Sequence, residues 1–171
     1  MSARLLLRPL TALLLSSLLA GCGFQLRGGD DSSVLPPEWR RLTLVSNSPN
    51  SEFTRLFRAL GAARGIEWVA PADADYRLRL GDERFTQRNL SINAQARASE
   101  FELLLRTTFS ITDAEGGTVL PPTEAEVAKQ MENDPLNVVG KAEESRILRE
   151  EMREELARQI VRRISFFAAS R

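Results

Sequence analysis

The chain has 171 residues, with 23 basic and 23 acidic side chains, one cysteine and no histidine. The missing imidazole excludes a Ser-His-Asp triad, a Cys-His dyad and a His-ligated zinc, and a single cysteine excludes an internal disulfide. Balanced charge argues against bulk nucleic-acid binding, which needs a strong basic excess.

The N-terminus opens with Arg4 and Arg8 and an apolar run that ends in Leu19-Ala20-Gly21-Cys22. A positive start, a short apolar stretch and a small-residue cut site read as a secretory signal. The run from Leu10 to Ala20 is too short to cross a bilayer, which takes about 20 residues. Cysteine at the first position after the cut is the bacterial lipoprotein pattern, so residues 1–21 are expected to be removed. The Cys22 thiol is then the nucleophile for attachment of a diacylglycerol, a covalent lipid and not a cofactor. The next residue is Gly23, not Asp, which favours the outer membrane. What remains is 150 residues with 21 basic and 23 acidic side chains, enough for one domain with a core.

Residues 22–38 read as a tether. Gly28, Gly29, Asp30, Asp31, Ser32 and Ser33 are flexible and polar, and Pro36-Pro37 stiffens the end. A short strand is predicted over Arg41–Val45. Ser48, Pro49, Asn50 and Ser51 then supply turn and cap chemistry. Phe53, Leu56, Phe57 and Leu60 fall on one helical face, which predicts a helix from Glu52 to Arg64 stopped by Gly65, with both phenylalanines buried. Ile66–Val69 follow, then a turn at Pro71. Tyr76, Leu78 and Leu80 alternate with Arg77 and Arg79 as a half-buried strand. The phase breaks at Gly81 and resumes at Phe85, which predicts a bulge.

The clearest strand runs from Phe101 to Ile111. Every odd position but Thr107 is apolar, and Glu102, Arg106, Thr108 and Ser110 face the other way. Asp113–Gly117 predict a hairpin turn. The next strand spans parts of Thr118–Met131, and Pro121-Pro122 place it at an edge or a bulge; Asp134-Pro135 close it. Leu148, Met152, Leu156, Ile160 and Ile164 recur every four residues, widened by Ile147 and Val161, and predict a helix over 141–164. Its glutamates and arginines, Arg153 among them, read as a solvated face with i,i+4 pairs, acids early and Arg162-Arg163 late.

The expected fold is α+β: a two-layer sandwich in which two helices cover one face of an approximately four-stranded sheet. The other face, with Arg77, Arg79, Glu102, Arg106 and Thr108, is left polar. The domain layout is a signal over 1–21, a tether over 22–38, one domain over 39–167 and a tail over 168–171.

No phosphate loop, dinucleotide fingerprint, metal-ligand spacing or nucleophile elbow is present. The carboxylate pairs Glu124/Glu126 and Asp82/Glu83 are the best enzymatic candidates. Binding is the stronger reading, and no enzymatic activity is expected. Arg77, Arg79, Arg84, Arg88, Arg97, Arg106 and Lys129 lie on strands or their connections. Guanidinium groups suit an amphipathic anionic glycolipid, since they grip phosphate in bidentate fashion.

The stretch Leu19-Ala20-Gly21-Cys22-Gly23-Phe24-Gln25-Leu26-Arg27-Gly28 resembles the start of the LptE family of LPS-assembly lipoproteins. The first helix, the alternating strand and the helix ending Ile160–Ile164 resemble that family in pattern. The resemblance implies an outer-membrane lipoprotein that partners and plugs a large β-barrel, LptD, aids its assembly and passes lipopolysaccharide to the outer leaflet. It also implies basic lipopolysaccharide contacts, which fall on Arg97 and Lys129 here, with Arg106 added from the strand. The rival expectation is an accessory lipoprotein of another outer-membrane machine, a barrel-insertion complex or a secretin pilot.

Overall fold

A computed structural model describes residues 35–92, 98–133 and 138–171. The signal, Cys22, most of the tether, Arg97 and Asp134-Pro135 lie outside the described residues.

Leu35 and Trp39 are buried, and Pro37–Trp39 form a single 3-10 turn that leads into strand β1 (Arg41–Ser46). Trp39 stacks on Tyr76 at 4.1 Å and meets Phe167 edge-on, so the domain starts by packing against its own C-terminal helix. Helix α1 (Glu52–Ala63) begins where Ser51 accepts a hydrogen bond from the Thr54 amide, a standard N-cap. It buries Phe53 and Phe57, as its spacing requires, and ends at Arg64 before Gly65, whose φ of 89° suits a residue without Cβ.

Strand β2 (Glu67–Trp68) and strand β3 (Tyr76–Leu80) flank β1, both parallel to it. Strands β4 (Arg84–Ile92), β5 (Ala98–Asp113) and β6 (Thr118–Glu132) complete a six-stranded mixed sheet. β3 and β4 both pair antiparallel with the same edge of β5, and β6 pairs with its other edge. The expected strand number of about four is therefore too low. Two of the extra strands have simple causes. β2 is only two residues long, and β3 and β4 are one line of chain interrupted at Gly81.

That interruption is the bulge expected from the phase break. Leu80 pairs with Phe109 and Arg84 with Arg106, so three residues on this strand face two on β5. The extra residue flips the alternation: Leu80 points to the core, and Phe85, not Arg84, points there next. The exception in β5 is explained at the same place. Thr107 is buried, and its hydroxyl donates to the Gly81 carbonyl at 2.8 Å, while the Gly81 amide donates to the Thr108 carbonyl at 2.8 Å. A Cβ on residue 81 would lie 2.8 Å from Thr108 Oγ1, so a side chain has no room there.

Helix α2 (Val138–Ala169) and α1 lie on the same face of the sheet. Met152, Leu156, Ile160, Val161 and Ile164 join Phe53, Phe57, Leu78, Leu103, Leu105 and Phe109 in one core. The α+β two-layer arrangement is thus as expected. Three details of α2 differ. It is longer than 141–164 at both ends. Its first turn holds no acid and its last no base, so the charge gradient does not complement the dipole at the termini. Ile147 is 43% exposed and does not widen the apolar stripe.

Arg153 also departs from the solvated-face reading. Only 16% of its side chain is exposed. Its guanidinium spans two carboxylates, Glu83 in the bulge at 2.8 Å and Glu52 in the first turn of α1 at 2.5 Å. One side chain thereby ties α2 to both the bulge and α1. The hydrogen bonds to Glu83 first, and then the charges of Glu83 and Glu52, raise the Arg153 pKa, so it stays charged at any accessible pH.

Candidate functional site: the open face of the sheet

With both helices on one face, the alternation of the strands sends a second set of side chains outward. The register aligns them in rows. Thr43, Arg77 and Thr112 form one row, in which Thr43 is buried; Val45, Arg79 and Ser110 form the next. Beyond the bulge, Arg84, Arg106 and Glu126 lie side by side, as do Arg88, Glu102 and Gln130. This is the polar face anticipated from Arg77, Arg79, Glu102, Arg106 and Thr108. The alternation alone does not predict that Leu104 on this side is buried, beside Thr86 and Ala128 and between the two ion-paired rows.

Two ion pairs cross the face. Arg88 bonds Glu102, and Arg106 Nε lies 2.7 Å from Glu126 Oε2. The Glu102 carboxylate raises the Arg88 pKa, chiefly by accepting its hydrogen bond. Among the described residues Arg77, Arg79 and Arg84 make no ion pair, so the face retains arginines free to meet a ligand, Arg77 and Arg79 on β3 within the sheet and Arg84 on β4 at its edge. A cleft of about 410 Å³ opens at the bulge between Asp82, Arg84, Arg106, Thr108 and Glu124. A smaller one, about 260 Å³, adjoins it beside Val45, Arg79 and Pro122.

The sequence candidates do not converge on one spot. Arg106 is on the open face. Lys129 is on the helix side of β6, opposite Leu103, where its ammonium donates to Glu151 of α2 at 2.6 Å. Arg97 lies outside the described residues. The carboxylate pairs fare differently from each other. Asp82 lines the open cleft, but Glu83 turns inward to Arg153, so these two do not face one substrate. Glu124 and Glu126 share the open face, and Glu126 is held by Arg106. Among the described residues no group of three or more Cys, Asp or Glu side chains is placed to hold a metal ion. What the face offers is shape, hydrogen bonds and arginine charge.

Residues 39–164 match the family described as "LptE: Lipopolysaccharide-assembly". The chain belongs to this family. Two LptE proteins described as LPS-assembly lipoproteins are similar along most of its length. That of Photorhabdus laumondii is 29% identical over 160 residues, covering 92% of this chain and 85% of the relative. That of Yersinia enterocolitica is 30% identical over 147 residues, covering 85% and 69%. Among solved structures, the rare lipoprotein B of Shewanella oneidensis superimposes with a TM-score of 0.67 at 24% identity, covering 75% of this chain and 96% of the other. A lipoprotein B of Nitrosomonas europaea gives 0.70 at 23%, covering 86% and 93%. These likenesses show that the mixed sheet with two helices on one side is a fold shared with these solved lipoproteins. The family resemblance carried by the residues around Cys22 is thus matched by the domain that follows it.

Proposed function

We propose that this protein is the outer-membrane lipoprotein subunit of the lipopolysaccharide translocon. It is held by a lipid on Cys22 on the periplasmic side, and partners and plugs an LptD-type β-barrel. It aids assembly of that barrel and delivery of lipopolysaccharide to the outer leaflet. It acts by binding, with no bond chemistry of its own. The observation that carries this reading is the open sheet face in an LptE-family domain. An amphipathic sheet buries one side under helices and offers the other, with unpaired Arg77, Arg79 and Arg84, to a partner or a phosphate. Arg106 belongs to the same face, while Arg97 and Lys129 are proposed as contacts by family resemblance.

The test is what co-elutes with the detergent-extracted, lipidated chain. The expected result is one large β-barrel in stable complex; a different machine would overturn the reading in favour of an accessory role elsewhere. Lipopolysaccharide binding by an Arg79→Glu, Arg106→Glu variant is expected to fall at least tenfold with the fold intact. Cys22→Ser is expected to abolish acylation and leave residues 39–167 folded.

A further inference from the structure

Sheet edges expose unpaired amides and carbonyls, and proteins ordinarily protect them. Three edges exist here, and two are protected. β2 is two residues long. The outer edge of β6 carries Pro121-Pro122, which lack amide hydrogens, and exposed Glu124, Glu126 and Glu132. The third is the outer edge of β4. β1 stops at Ser46, opposite Leu80, where the chain turns away toward α1. The bulge begins one residue later. Of the nine residues Arg84–Ile92, all but Leu90 therefore pair with β5 on one side, and none pairs with a described strand on the other.

This edge is less protected: its only charges are Arg84 and Arg88, and Arg88 is taken up by Glu102. β4 contains no proline or lysine, and its irregularity in register comes only after Asn89. Residues 86–90 are exposed, Leu90 among them at 41%. At its beginning the Arg149 guanidinium of α2 lies 3.8 Å over the Phe85 ring. An added strand along β4 would continue the line of β1 past Ser46, beside Asn47, which lines the cleft with Arg84.

We propose that the outer edge of β4 accepts an extended strand of the barrel partner, which lengthens the sheet by main-chain hydrogen bonds. The inference rests on the translocon reading above and names the surface that reading leaves open. Charge selects the occupant. Arg84 makes no ion pair among the described residues and projects on the open side beside the edge, in the same row as Arg106. A strand with a carboxylate facing Arg84 gains a cross-strand pair. A second copy does not. Symmetric antiparallel pairing centred on Thr86 sets Arg84 against Arg88 twice, and like charges directly opposite destabilise a sheet. Strand addition of this kind draws affinity from the backbone and specificity from alternate side chains.

Amide hydrogen exchange on the lipidated chain, alone in detergent and in complex with the co-purified barrel, tests this. Alternate amides of Arg84–Ile92 are expected to slow at least tenfold in the complex, with β6 edge amides unchanged. Arg84→Glu with Thr86→Glu is expected to weaken the complex about tenfold, whereas Arg58→Glu on α1 leaves it intact; circular dichroism checks that both remain folded. An intact complex with unchanged β4 exchange overturns the inference and leaves the translocon reading standing. Slowing of β4 in the chain alone as its concentration rises identifies a second copy and also overturns it. Failure to recover any barrel overturns the translocon reading itself.

Discussion

Replacing Thr107 with valine removes one hydroxyl and almost nothing else. Its side chain is 3% exposed, and the hydroxyl donates to the Gly81 carbonyl at 2.8 Å across the bulge. Valine keeps the shape and the β-branch, so packing and strand propensity are nearly unchanged. The loss is the hydrogen bond, about 1 kcal/mol net, with a further cost because the Gly81 carbonyl loses its partner; about 1–2 kcal/mol in all is expected. For a domain of this size that is a fall in Tm of roughly 3–8 °C. Thermal and urea unfolding followed by circular dichroism would measure it. Thr107→Ser, which keeps the hydroxyl, is expected to retain the bond and lose only what one methyl group contributes. Gly81→Ala approaches the same lock from the other side: its Cβ would sit 2.8 Å from Thr108 Oγ1 and 3.1 Å from the Thr108 carbonyl, for a cost of about 1–3 kcal/mol. The two changes touch one motif, so their combined cost should differ from the sum. A Thr107→Val protein as stable as the parent would refute the argument, because the threonine would then be an accident of sequence and not the fastening of the bulge.

Three further outcomes are expected. Arg153→Met leaves Glu83 partly buried and unpaired and frees Glu52; after allowance for the partial exposure of these groups, unfolding measurements should show a loss of about 1–2 kcal/mol. Arg153→Lys should recover only part of it, since one ammonium cannot grip both carboxylates as the fork does. Leu156→Ala, at a fully buried core position, should lower stability by about 2–5 kcal/mol in urea. Glu143 has its pKa lowered, first by the hydrogen bond from Arg146. A depressed folded-state carboxyl contributes its stabilisation above the ordinary carboxylate range and loses it as pH falls through the folded value. NMR titration of Glu143 should move back toward the ordinary range in Arg146→Gln, and an unmoved titration would show that the pair does not form in solution.

Much of the architecture was legible in the chain because it follows from local periodicity. The spacing of Phe53 and Phe57 placed α1, the alternation from Phe101 to Ile111 placed β5, and the repeat from Met152 to Ile164 placed the core face of α2. Even the bulge showed itself as a lost phase at Gly81. What stayed hidden depended on pairing between distant segments. Nothing in the run of arginines and glutamates distinguishes Arg153, because its carboxylates, Glu83 and Glu52, are brought to it only by the sheet and α1. Lys129 and Arg106 read alike as basic strand residues, yet register sends one beneath α2 to Glu151 and the other to the open face. The free edge of β4 exists because β1 ends opposite Leu80, a fact of strand order and not of composition. Periodicity determines which side of an element is apolar, since that depends on residues a few positions apart. Which cations are neutralised and which edges are left open depends on what tertiary packing sets beside them.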